Sequence, residues 1–288
     1  MRSIWRNLRI ALVILCAAVF VVSGVFLVKI LIGYASADKT YEEINRGFET
    51  LSGSETESEN KSDGTETETA GGPIEEEPLT VTVYNGLTAE MQAQYEYFME
   101  LKKVYPDVVG YISIPSISVN YPVVQTTDND YYLNHLITGE VSTSGSIFLD
   151  YRCTSDATIS RNTVLYGHNM NNGSMFHNVQ LLFTPEEFAK ATVEYICEEG
   201  ILMYKPLTVY RADAMYPFMR RDFADDTDYL EYCRMVVEKS HLTESEQVEY
   251  AADSGLVTLV TCTNSVSSKT GRYIYQAVLD SIYYPIFE

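Results

Sequence analysis

Basic residues are scarce: 20 Lys and Arg against 40 Asp and Glu leave this chain of 288 residues at a formal charge of −20. Nucleic-acid binding needs a basic face to neutralise phosphates. No such face is visible, so that class of partner is excluded. Cysteine is sparse too, with five in all, and no two stand in C-x-x-C spacing. That excludes a zinc knuckle and a thioredoxin-type redox motif, and neither a metal nor another cofactor is expected. If the chain is exported, disulfides among Cys153, Cys197 and Cys233 are open, since connectivity is not written in spacing. Internal repeats are lacking, as is a second long apolar run near the C-terminus. From 41 to 80 large apolar residues nearly vanish and the chain reads as Glu, Ser, Thr and Gly. Such a segment buries too little surface to offset the entropy of ordering.

What is present begins with Arg2, Arg6 and Arg9, followed by an apolar run from Ile10 to Ile32 broken only by Lys29 and small residues. The run is long enough to cross a hydrocarbon core of roughly 30 Å as a helix. The preceding charges favour a cytoplasmic N-terminus. A cleaved signal peptide is the competing reading. The run exceeds an ordinary h-region, and Ala35-Ser36-Ala37 makes a weak cleavage site. Leu15 before Cys16 is bulkier than a lipidation motif tolerates. The expected organisation is a cytoplasmic stretch at 1–9, a membrane anchor at 10–32, an acidic disordered tether at 33–85 and a globular domain at 86–288, with the anchor at the N-terminus only.

In the globular part, Met91, Tyr95, Phe98 and Leu101 fall on one helical stripe that ends before Pro106. Short β-prone runs follow at 109–114, 119–124, 146–149, 163–167, 191–196, 201–211, 256–261 and 273–279, with Gly, Pro, Asn and Asp between them. This pattern predicts a mainly β, closed or sandwich-like architecture. Thr184-Pro185-Glu186-Glu187 reads as a capping box, a longer helix is expected over 228–240, and Thr243 with Glu246 forms a second box.

The run 256–261 ends abruptly in Cys262 before a polar loop, which places a thiol at a strand terminus where scaffolds present reactive groups. A small buried hydrophobe is the alternative. Cys197 and Cys233 sit inside β and helical patterns and read as core residues, and Cys153 stays open. A nucleophilic thiol needs a partner that manages protons. His168 also follows a β run and lies among loop formers, His177 is equally compatible with packing, and His135 and His241 sit in polar surroundings. Arg272 opens the strand after the loop that follows Cys262, so a strand–loop–strand hairpin would bring its guanidinium beside the thiol. That group can stabilise an oxyanion without titrating. A surface arginine is the alternative.

Together these positions resemble the sortase family. Thr258-Leu259-Val260-Thr261-Cys262 matches its T-L-x-T-C signature, with an arginine ten residues on. Tyr166-Gly167-His168-Asn169-Met170, the stretch 173–176, and 145–152 (Gly-Ser-Ile-Phe-Leu-Asp-Tyr-Arg) are similar to class B motifs, as is the helical insertion between about 222 and 250. The likeness covers about 86–288. It implies an eight-stranded β-barrel with accessory helices and an extracytoplasmic cysteine transpeptidase. Such an enzyme would cut a C-terminal sorting signal after threonine and hold the acyl group on Cys262. It would pass that group to an amine of a peptidoglycan precursor or a pilin lysine. His168 would handle the protons and Arg272 would hold the carbonyl oxygen, while Asn129, Leu133 and Tyr166 would line the peptide groove. Val260 departs from the serine frequent in class B, and the class A calcium site is not expected. Two other readings are a surface cysteine protease that releases product to water and a non-catalytic adhesin or pilus-associated module.

Overall fold

A computed structural model describes residues 2–52, 81–213, 219–242, 250–262 and 271–286. Its elements are α1 (Arg2–Ser52), β1 (Thr82–Asn85), α2 (Ala89–Val104), β2 (Val108–Ile114), β3 (Val119–Val124), β4 (Ile147–Leu149), β5 (Asn162–Tyr166), α3 (Pro185–Lys190), β6 (Val193–Cys197), β7 (Gly200–Asp213), α4 (Asp226–Val237), β8 (Leu256–Cys262) and β9 (Gly271–Tyr284). The sheet runs β1-β9-β7-β6-β2-β3-β4-β5-β8, and β8 pairs again with β9. That last pairing closes β2 to β9 into the expected eight-stranded barrel. β8 occupies β9 only from Arg272 to Val278, and β1 takes the rest of that edge at 281–284. Pro206, which cannot donate a ladder bond, sits at a register shift between β7 and β9.

Among the apolar residues of the barrel lies a buried polar network. Thr258 Oγ1 donates to Asn162 Oδ1 at 2.6 Å, and Gln276 Nε2 lies 2.9 Å from both Thr258 Oγ1 and the Tyr232 hydroxyl. Tyr210 donates to Gln276 Oε1 at 3.2 Å. With its members partnered, the network ties β5, β7, β8, β9 and α4 to one register.

The tether expected at 33–85 is corrected at both ends. Residues 33–52 continue α1, and 82–85 form β1, while 53–80 lie outside the described residues. Ala37, Tyr41, Ile44 and Phe48 are buried at helical spacing against the barrel. The Phe48 ring stacks on Tyr111 with centroids 4.1 Å apart, and the Tyr41 hydroxyl lies 2.7 Å from Ser146 Oγ. An acidic composition hid this stripe because its exposed positions carry the charges.

The anchor expected at 10–32 falls in the first part of α1. Among the described residues no helix is long and apolar enough to cross a membrane. The side chains of 1–14, 26–27 and 29–30 lie outside the described set. Val19, Phe20, Val22, Leu31 and Ile32 are exposed.

Thr88 caps α2 and Asp225 caps α4 through their side chains, so α4 starts two residues earlier than expected. At α3 the box does not form: the Thr184 hydroxyl donates to Leu181 O at 3.0 Å instead of accepting from the helix. The second box, at 243–246, lies outside the described residues.

Candidate active site

Cys262 ends β8 and Arg272 stands directly opposite it on β9, the last pair of an antiparallel ladder. β5 runs parallel to β8 with Tyr166 beside Val260, so the loop leaving β5 carries His168 to the same end of the barrel. Gly167 makes this turn possible: a Cβ there would stand 2.4 Å from Ile147 Cδ1 and 2.7 Å from the Phe176 ring. A cavity of about 280 Å³ opens at this end, and Asn129, Leu133, Tyr166, His168, Cys262 and Arg272 all line it. Phe148, Met219 and Val260 supply an apolar wall. Val260 brings no hydroxyl to that wall, as its departure from the class B pattern implied. A larger cavity of about 400 Å³ between α1 and β3 is lined by Asp38, Glu42 and Glu49 and holds neither thiol nor imidazole among its lining residues.

His168 Nε2 lies 2.8 Å from the Leu133 carbonyl oxygen. A carbonyl only accepts, so Nε2 carries a proton and Nδ1 is left to take up and release the second one. Leu133 thus contributes its backbone as well as its side chain. The 3₁₀ turn Tyr131–Leu133 that presents it is held by Asp128, whose carboxylate accepts from the backbone N–H groups of Asp130 and Tyr131 at 2.8 and 2.9 Å. Those two bonds lower the Asp128 pKa, the one from Tyr131 most. Gly145 closes the same loop with φ +56°, where any Cβ would strike Tyr132 O.

Two residues outside the sequence-derived set complete the site. Asn169 Nδ2 donates to Cys262 O at 2.7 Å. His177 Nδ1 lies 2.8 Å from Asn169 Oδ1, and Gln180 Nε2 lies 2.9 Å from His177 Nε2. Since the Asn169 oxygen accepts, His177 carries its proton on Nδ1 and accepts from Gln180 on Nε2. His177 therefore orients the amide that holds the strand end, rather than merely packing. The other addition is Asp150, fully buried behind the groove, which accepts from Arg152 Nε at 2.8 Å and Arg152 Nη2 at 2.7 Å. Burial alone would raise its pKa, but the Arg152 and Tyr166 hydrogen bonds outweigh it and hold the carboxyl at about 2. Both residues carry a sequence signal only in the motif stretches around them.

All five cysteines are free. Cys153, Cys197 and Cys233 are buried, and burial pushes their thiols to about 11, 12 and 12. Cys262 is partly exposed and lines the cavity. Among the described residues no cluster of His, Cys, Asp and Glu could hold a metal ion.

A closed barrel that presents a thiol, an imidazole and a guanidinium around one cavity has the architecture of a cysteine acyl-transfer enzyme. The family profile described as Sortase domain matches residues 112–280. Sortase B of Listeria monocytogenes is 32% identical over 182 residues, 62% of this chain and 72% of that protein. Sortase B of Bacillus anthracis superposes with a TM-score of 0.63 at 27% identity, covering 87% of this chain and 99% of that one. Sortase B of Clostridium perfringens superposes with a TM-score of 0.58 at 28% identity, covering 63% and 98%. The chain belongs to the sortase family of cysteine transpeptidases, in class B.

Proposed function

We propose that this transpeptidase works on the outer face of the cell membrane, attaching exported proteins to the cell wall or to a pilin. Its substrate would be a C-terminal sorting signal cut after threonine, seated in the groove of Asn129, Leu133 and Tyr166. The Cys262 thiolate attacks the threonine carbonyl carbon, and Arg272 holds the oxygen as it gains charge. His168 gives a proton to the leaving amine as the C–N bond breaks, leaving a thioester on Cys262. An amine acceptor, from a peptidoglycan precursor or a pilin lysine, attacks that thioester and passes a proton to His168. The new amide forms and the thiolate departs. A thioester keeps the acyl group activated until the amine arrives, so apolar walls such as Phe148 and Val260 favour transfer over hydrolysis.

The observation that carries this reading is the cross-strand pair Cys262–Arg272 with His168 in one cavity. The apolar run 10–32 behind Arg2, Arg6 and Arg9 supports a single-pass anchor with the N-terminus in the cytoplasm. Because α1 continues from that run into a packed helix, the domain would be held close to the membrane instead of on a long leash.

Incubation with threonine-containing sorting peptides and an added amine, followed by mass spectrometry, tests the reaction. A thioacyl adduct on Cys262 and an amide-linked product are expected. Free acid alone, with amine in excess, would mark a protease.

A further inference from the structure

The polar atoms of the groove are arranged by a residue that does not itself line it. Asp150 follows β4 and its side chain is fully buried. Its Oδ1 accepts from the backbone N–H of Arg152 at 3.0 Å and from Arg152 Nε at 2.8 Å. Its Oδ2 accepts from Arg152 Nη2 at 2.7 Å, from the Tyr166 hydroxyl at 3.0 Å and from Asn129 Nδ2 at 3.2 Å. Asn129 and Tyr166 both line the cavity. Burial, and then the neighbouring carboxylate, raise the Tyr166 pKa, so the phenol keeps its proton.

Hydrogen positions follow from this carboxylate. Tyr166 has one proton to give. Met219 Sδ stands 2.8 Å away, but a thioether is a weak acceptor and an ionised carboxylate a strong one. The proton goes to Asp150, and the phenolic oxygen keeps its lone pairs. Asn129 Oδ1 is taken by the Tyr151 N–H at 2.9 Å and one Nδ2–H by Asp150, which fixes the amide orientation and leaves its second N–H.

We propose that Asp150 is a positioning and specificity-determining residue that makes the groove present one N–H donor, from Asn129, and one oxygen acceptor, from Tyr166. One peptide unit of an extended substrate, with its C=O and N–H, is the complementary ligand. The inference rests on the reading that a sorting peptide binds in this cavity. A neutral side chain at 150 reverses the order: a carboxamide donates to Tyr166, whose proton then turns elsewhere, and the Asn129 amide loses its charged partner.

Asp150→Asn is the test, since it keeps the shape of the side chain. The expected outcome is a loss of about tenfold or more in kcat/KM for the sorting peptide, carried mostly by KM. Alkylation of Cys262 by iodoacetamide, which needs no hydrogen bond from Asn129 or Tyr166, should stay within about twofold of wild type, and resistance to proteolysis should persist. In a Tyr166→Phe background the same substitution should cost less, because the proton it redirects is already gone and only the Asn129 amide is left to lose its partner. Three results would each overturn the inference: an unchanged KM, an equal loss in the Tyr166→Phe background, or a matching fall in alkylation. A wild-type protein that forms no thioacyl adduct with any sorting peptide would instead sink the peptide reading, and this inference with it.

Discussion

Asn169 donates its side-chain amide to the backbone carbonyl of Cys262 at 2.7 Å. The last backbone bond joining the end of β5 to β8 runs from Gly167 N to Val260 O at 3.2 Å. The side chain thus prolongs a parallel ladder two residues past the point where backbone pairing stops. It ties the loop that bears the imidazole to the strand that bears the thiol.

Removing that clasp should misplace the nucleophile without touching the groove. Asn169→Ala is expected to lower kcat by about tenfold to a hundredfold, in line with about 1–3 kcal/mol for an orphaned carbonyl, and to leave peptide KM nearly unchanged. Asn169→Asp should be worse, because a carboxylate would face the Cys262 carbonyl. Steady-state kinetics on both variants decide the matter, and a normal kcat in Asn169→Ala would remove the clasp from the account.

Arg272 holds charge in a planar fork, so charge alone should not replace it. Arg272→Lys is expected to lose about a hundredfold in kcat, the scale of an oxyanion donor. Cys262→Ala should abolish both the thioacyl adduct and product. Mass spectrometry of stalled reactions checks both, and turnover surviving in Cys262→Ala would end the proposed chemistry.

Thiol accessibility separates Cys262 from the other cysteines of the barrel domain. Brief treatment of the native protein with a maleimide is expected to label Cys262 and to spare Cys153, Cys197 and Cys233, whose thiols are buried and held protonated up to about 11 or 12. Peptide mapping before and after denaturation reads this directly.

Phe48 distinguishes a packed helix from a loose tether. Its ring is 2% exposed and stacks on Tyr111. Phe48→Ala should destabilise the domain by about 3–5 kcal/mol through the cavity it leaves. An unchanged denaturant midpoint would mean that 33–52 does not dock in solution.

Glu194 on β6 gives a pH dependence of definite sign. Burial first, and then the charge of Glu90, raise its carboxyl from 4.5 to about 7, and among the described residues its Oε1 has no hydrogen-bond partner. A raised acid favours folding while it is protonated in both states. Its contribution is complete below about 4.5 and is lost as pH rises to about 7. Glu194→Gln should therefore raise Tm at pH 8, by roughly 1–3 kcal/mol of stability, and change little at pH 4. Thermal unfolding at the two pH values tests it, and an equal effect at both would refute the assignment.

Strand by strand, the barrel was legible because alternation and turn residues are local: β3 spans the expected 119–124, and β2, β5 and β8 differ from expectation by one residue at an end or two. The T-L-x-T-C and Tyr-Gly-His stretches named the thiol and the imidazole for the same reason. Docking of 33–52 was not legible, because a stripe of four apolar positions is diluted by the acidic residues that share the helix. The roles of Asn169, His177 and Asp150 were hidden differently. A polar side chain declares nothing about its partner until distant strands meet, and Asn169 reaches Cys262 across 93 positions of sequence. Sequence alone determined which residues could do chemistry, since reactivity belongs to the side chain. Only tertiary structure decided which of them are held, by what and in which tautomer, because hydrogen-bond direction is a property of neighbours.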